Sequence, residues 1–239
     1  MGEIFVGTSG FSFDDWVGTV YPSAMKKEDM LPYYEKGLGF KALEVNFTYY
    51  AMPSRRTMDS FARRTSGDFA FVVKAHKGMT HEPGSNLKDE CRRFKEALVP
   101  LGESLKALLF QFPYAFRPGS SSVDYLRSLR DEFAGFRTVV EFRNAAWMSG
   151  ETMDMLQRLD WAYGVVDEPR LKGLVPFYPG VTSGTGYFRF HGRNPKWFGT
   201  SVDVRYDYLY SAQELAGFVD AVLDVSRRAG STFVFFNNC

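Results

Sequence analysis

The chain has 239 residues, 45% hydrophobic and 24% charged, with a formal net charge of +1. That balance excludes a general nucleic-acid coat, which carries a marked basic excess, and no apolar run is long enough to cross a bilayer. Cys91 and Cys239 stand far apart without metal-ligand spacing, and no signal segment precedes the first strand, so a reduced cytoplasmic protein is expected.

Ile4-Phe5-Val6 reads as the first strand, ending in the turn residues Gly7–Gly10 and an aromatic loop to Trp16. A helix is predicted over Lys26–Lys36, distorted or divided by Pro32 and stopped by Gly37. Ala42–Phe47 forms the second strand, and Ser54 caps a helix that buries Met58 and Phe61. Phe69–Lys74 is the third strand, followed by a polar loop (76–84) and a charged helix over Lys88–Leu98. Leu105–Phe112 is the fourth, and Ser121–Asp124 has capping-box spacing before Leu126, Leu129 and Phe133.

The β-branched run Thr138-Val139-Val140 opens the fifth strand and runs into Glu141 and Arg143. Ser149 starts a helix with Met153, Leu156 and Leu159, and Trp161–Val166 forms the sixth strand, ending at Asp167. Residues 168–185 show no helical pattern; Gly186–His191 is the seventh strand. Ser211-Ala-Gln-Glu214 is a capping box opening a helix with Leu215, Phe218, Val219 and Val222 at core spacing. Ser231–Phe236 is the eighth strand.

Strands alternating with helices predict an α/β protein, and eight such units in this length predict one TIM-type (β/α)8 barrel spanning 1–239, lacking its final helix. No Gly-rich dinucleotide fingerprint or P-loop supports a nucleotide fold, and no cofactor is assigned. In a barrel, residues two apart share a face and active sites lie at the C-terminal strand ends. Glu44/Asn46, Lys74/His76, Gln111, Glu141/Arg143, Asp167, Arg189/His191 and Asn237-Asn238 all fall at such ends. The bland alternative is a neutralised polar plug; so many charges collected in one cleft favour function.

The motifs GTSGFSFDDW (7–16), LEVNFTYYAMP (43–53), FVVKAHK (71–77), FQFP (110–113), VEFRNAAW (140–147), RFHGR (189–193) and FFNN (235–238) resemble the YecE-like family, domain of unknown function 72. The resemblance spans nearly the whole chain in order. It implies a TIM-type barrel in a bacterial or archaeal cytoplasmic protein, and no settled activity. It also implies a polar cluster of Glu44, Asn46, Lys74, Gln111, Glu141, Arg143, His191, Arg193 and Asn237. Family members continue past the Asn pair into a closing helix, so the outer faces of the first and last strands are expected to need cover from a neighbouring chain, the 168–185 loop or the flanking helices.

Three functions compete. The favoured one is an enzyme, a hydrolase by preference, acting on a small anionic and phosphorylated substrate. Glu44, Glu141, His191 and Lys74 are its catalytic candidates. Asn46, Gln111, Arg143, Arg189, Arg193 and Asn237 bind substrate, the arginines through paired donors, with Trp16 and Trp147 as ring contacts. A metal-dependent variant using Glu44, Glu141, Asp167 and His191 is weaker, because the chain has three His and interleaves cations with the carboxylates, so no metal ligand is assigned. The second is a glycosidase-like, sugar-binding barrel using the paired carboxylates and rim aromatics. The third is a non-catalytic barrel binding nucleic acid or a regulatory ligand, with Arg55-Arg56, Arg63-Arg64, Arg92-Arg93 and Arg227-Arg228 extending a basic surface.

Overall fold

The computed structural model describes residues 1–238, and of residues 202 and 203 the backbone alone; Cys239 lies outside the described residues. Eight parallel strands pair in chain order and close on themselves. They are β1 (Glu3–Ser9), β2 (Ala42–Val45), β3 (Ala70–Lys74), β4 (Leu105–Gln111), β5 (Thr138–Glu141), β6 (Ala162–Asp167), β7 (Thr185–Phe190) and β8 (Ser231–Phe236). The helices are α1 (Lys27–Lys36), α2 (Arg55–Arg64), α3 (Leu87–Leu98), α4 (Ser120–Glu132), α5 (Gly150–Leu159), α6 (Val202–Tyr206) and α7 (Ala212–Arg228). This is the expected α/β barrel, and no helix follows β8 among the described residues. Nor is any described helix long and apolar enough to cross a membrane.

The strands are apolar on both faces because both are covered, and the two faces make two cores. Inside the barrel, Phe5, Ala42, Ala70, Val72, Ala107, Leu109, Val139, Ala162, Tyr187, Phe233 and Phe235 fill the interior. Small residues on β2–β4 and β6 leave room for the rings of β1, β7 and β8; Phe5 and Phe233 stack at 5.0 Å. Outside, residues of opposite parity such as Leu43, Phe71, Val73, Leu108, Phe110, Val140 and Phe188 pack under the helices. Gly186 faces α7, where an added Cβ would stand 2.4 Å from Val225 Cγ1, so α7 lies directly against β7.

Several local details differ from the expectation. Pro32 lies inside α1 without dividing it, and the Glu28 carbonyl left without an N–H donor accepts from Arg64 Nη1 at 2.9 Å. The capping box at Ser121 does not form. The helix starts at Ser120 behind Gly119 with no side-chain cap, and Ser122 Oγ donates to the Arg117 carbonyl instead. Ser54, Ser149 and Ser211 cap as expected, Ser211 with the full box to Glu214. On α7, Phe218 is buried, but Leu215 and Val219 are 37% and 51% exposed. Val6 on the outer face of β1 is 41% exposed. On the outer face of β8, Val234 is buried; in the 168–185 loop, Phe177 packs on Phe188 and Phe218, 6.3 and 5.2 Å away.

Candidate functional site

The site follows from strand parity. Two residues after the interior-facing Ala42, Val72, Leu109, Val139, Tyr187 and Phe235 come Glu44, Lys74, Gln111, Glu141, Arg189 and Asn237. Each therefore continues the inward face past the apolar filling, toward the C-terminal mouth. Asn46, Arg143 and His191 extend the same rows by one more step.

These groups form a connected buried network. Arg189 grips Glu44 with two donors, Nε to Oε2 at 2.8 Å and Nη2 to Oε1 at 2.7 Å, and reaches Glu141 Oε2 with Nη1 at 2.8 Å. Tyr187 OH donates to Glu44 Oε2 at 2.5 Å. Arg143 Nε lies 2.5 Å from Glu141 Oε1, and its Nη1 donates to Glu168 Oε2 at 2.8 Å. His191 Nε2 stands 3.3 Å from Glu141 Oε1, and its Nδ1 lies 3.0 Å from Asn237 Nδ2. The amide donates to Nδ1, which assigns the imidazole proton to Nε2, facing the carboxylate. Asn46 Nδ2 in turn donates to Asn237 Oδ1 at 3.2 Å.

The charges divide unequally. Burial alone would push the Glu141 carboxyl up, but Arg189, Arg143 and His191 outweigh it and hold it well below the carboxylate range. Burial, with Arg143 beside it, holds His191 neutral by lowering its pKa well below the usual value. Burial pushes Glu168 up to about 7 against the pull of Arg143. Lys74 is the exception among the cations. Its Nζ donates to the neutral Gln111 Oε1 at 3.0 Å and lies 4.5 Å from the Tyr49 ring centre. Among the described residues no carboxylate pairs with it, whereas every guanidinium of the network is paired. Burial, reinforced by Arg189 and opposed by Glu141 and Glu44, brings the Lys74 amine down to about 7.

Lys74 and Arg189 line a cavity of about 410 Å³ at the mouth, together with Ser9, Asn46, Asn237 and Asn238. Phe13, Trp16, Tyr50, Tyr206 and Phe236 supply its apolar wall, and Asp15 sits at its edge. Ser9 Oγ, Asn46 Oδ1 and Asn238 Oδ1 are buried without a hydrogen-bond partner. Buried polar atoms without partners are rare and costly. No three His, Cys, Asp or Glu groups among the described residues stand where one metal ion would be held.

Of the twelve residues expected in the site, Glu44, Asn46, Lys74, Gln111, Glu141, Arg143, Arg189, His191 and Asn237 converge on this network, and Trp16 lines the cavity. Two do not. Trp147 is 1% exposed in the outer core, stacked on Phe142 and Phe116 at 4.3 and 5.4 Å, with Nε1 donating to the Phe116 carbonyl. Arg193 binds Asp167 and Glu214 under α7 and covers Phe218. Its partner explains the error: Ala162 faces inward, so Asp167, five residues later, faces outward. Tyr187 and Ser9 were missed, although each precedes or follows an inward residue by two. Phe13 and Tyr50 come from loops and Tyr206 from the end of the short helix α6, whose approach to the mouth no periodicity reveals.

Residues 5–239 match the family described as "Protein of unknown function DUF72". The UPF0759 protein YunF of Bacillus subtilis (strain 168) is 31% identical over 254 aligned positions, covering 98% of this chain and 88% of that protein. A DUF72 family crystal structure from Thermotoga maritima is 44% identical with a TM-score of 0.92, covering 99% of this chain and 93% of the other. One from Enterococcus faecalis V583 is 29% identical with a TM-score of 0.85, covering 98% and 89%. The chain belongs to the DUF72 family, the YecE-like family that its ordered motifs resemble.

Proposed function

We propose that the barrel mouth is the active site of an enzyme acting on a small anionic substrate, with Lys74 as its acid–base group. One observation carries this reading: an amine with neutral partners, titrating near 7, lines a cavity of ligand size. The protonated amine lacks a counterion, and an anion seated against it supplies one. Near neutral pH the same nitrogen takes and returns a proton, the property a general base needs to activate water for hydrolysis.

The carboxylates and arginines of the network serve chiefly to hold one another. Glu44 and Glu141 are committed to Arg189 and Arg143, so they hold the cations in place, and Glu141, held well below the carboxylate range by those guanidiniums, stays ionised at neutral pH. The arginines in turn have no free paired fork for phosphate, so substrate charge is met by the Lys74 ammonium as a point charge. His191, neutral with its proton toward Glu141, acts as a positioning residue for Glu141 and Asn237. Measuring binding of inorganic phosphate and of small carboxylates by calorimetry tests the reading: wild type binds at least one, and Lys74→Met abolishes that binding. Unchanged binding in the variant would remove Lys74 from the site.

A sugar-like ligand is favoured by a separate observation, the unpaired acceptors Ser9 Oγ, Asn46 Oδ1 and Asn238 Oδ1 beside the rings of Trp16 and Tyr50. Carboxylate-pair glycoside hydrolysis is disfavoured, because one guanidinium holds both Glu44 and Glu141. For a nucleic-acid surface the support is thin: Arg63, Arg92 and Arg228 each pair with carboxylates on their own helix.

A further inference from the structure

We infer that Lys74 is a nucleophile as well as a base, and that the barrel mouth captures a small hydroxylated aldehyde or ketone as an iminium on Lys74 Nζ. The inference rests on the reading of the mouth as an active site and names its substrate class.

Three features of the geometry point the same way. First, the amine is held in place without being charged by its neighbours: Gln111 Oε1 accepts one of its protons at 3.0 Å, and Gln111 Nε2 is anchored on the Phe112 carbonyl at 2.9 Å. An amine that donates to a fixed carbonyl keeps its lone pair directed elsewhere. Second, burial above all, and with it the guanidiniums of Arg189 and Arg143, disfavours a further positive charge there, while Glu141 and Glu44 oppose this from the same interior. Tyr49 and His81 face it from the β2 and β3 loops; His81 is itself lowered to about 4 and stays neutral. The result is an amine that stays substantially unprotonated at neutral pH, the condition for attack on a carbonyl. Third, Ser9 Oγ, Asn46 Oδ1 and Asn238 Oδ1 around the same cavity lack donors, and substrate hydroxyl groups supply them.

The step balances without any further reagent. Nζ forms a bond to the carbonyl carbon, and the carbonyl oxygen takes up a proton, giving a carbinolamine. Departure of that oxygen as water, with one more proton taken from solvent at the mouth and one lost from nitrogen, leaves the protonated iminium. The net change is amine plus carbonyl plus one proton to iminium plus water. The iminium withdraws electrons from the adjacent carbon, so the reaction class is proton removal or carbon–carbon bond change beside the carbonyl.

The test is reductive trapping of the whole protein. Glyceraldehyde is added at pH 7 with cyanoborohydride, and the modified lysines are located and timed by peptide mass spectrometry. An amine of pKa about 7 is about half unprotonated at pH 7, against a fraction of about 1 in 2,500 for an ordinary lysine. Lys74 is therefore expected to be modified at least about tenfold faster than any other lysine, and Lys74→Arg, which keeps a cation in the site, is expected to lose the fast adduct only. Propanal, a carbonyl without hydroxyls, is expected to trap at Lys74 several-fold more slowly. Trapping spread evenly over the surface lysines overturns the iminium. Equal trapping of propanal overturns the hydroxylated substrate class. Anion binding that survives even trapping would leave the acid–base reading standing while this inference falls.

Discussion

Arg189→Met tests the physical basis of the mouth. Arg189 makes three hydrogen bonds to two fully buried carboxylates, two to Glu44 and one to Glu141, and is itself 1% exposed. Removing it leaves Glu44 with Tyr187 OH alone and Glu141 with Arg143 and His191. Breaking a buried ion pair from one side costs about 3–5 kcal/mol, because the other charge stays desolvated. In a domain of this length each kcal/mol shifts the midpoint by roughly 2–4 °C, so the expected drop is roughly 6–20 °C. The pH dependence carries the sign. The folded Glu141 pKa is depressed in the wild type, so its contribution is full above the unfolded carboxyl pKa and is lost as pH falls through the folded value. Without Arg189 burial, the largest single influence on Glu141, is no longer outweighed, so the carboxyl pKa is expected to rise above its unfolded value and protonation relieves the buried charge. The gap between wild type and variant is therefore widest at pH 7–8 and narrows toward pH 5. Urea denaturation at pH 5.0, 6.0 and 7.5 measures it, and adding Glu44→Gln with Glu141→Gln should recover at least half the loss. A loss below about 1 kcal/mol, or one equal at pH 5.0 and 7.5, would refute the reasoning.

Other expectations concern separate parts of the molecule. Trp147→Ala should cost about 3–5 kcal/mol by chemical denaturation while leaving ligand binding at the mouth unchanged, since the ring is core and not rim. Ser211→Ala should cost about 1 kcal/mol through loss of the α7 cap, with Ser121→Ala close to neutral. Lys74→Met should be more stable than wild type at pH 6, with the gain shrinking as pH rises toward 10. The folded amine titrates below its unfolded value, so wild-type stability itself rises over that window, which a thermal scan at fixed pH steps detects.

The fold was legible because β-branched and aromatic runs recur between capped helices, and one of the clearest caps, Ser211–Glu214, forms as written. The site was legible for the same reason: Glu44, Glu141 and Arg189 each continue an inward row by two residues. What the sequence did not reveal was which charges are spent on one another. Glu141 and Arg143 on one face suggest a catalytic pair, yet Arg189 from a strand 48 residues away takes up the same carboxylate. Lys74 stood out less than the arginines, and its value near 7 comes from burial among neighbours that only tertiary structure assembles. Trp147 failed as a rim residue because the turn it follows folds back over the outer core, and Phe116, which receives its indole proton, lies 31 residues earlier.

The titration of Lys74 itself tests the central claim most directly. Reductive methylation with 13C-formaldehyde labels the amines, and Lys74→Arg assigns the resonance by its disappearance. A pH titration from 5 to 11 is then followed by heteronuclear correlation spectra. The account predicts a midpoint for Lys74 about 7, with a rise on addition of an anionic ligand that seats against the ammonium. A midpoint near 10.4, the value of an unperturbed lysine, would contradict both the acid–base role and the iminium proposed for this residue.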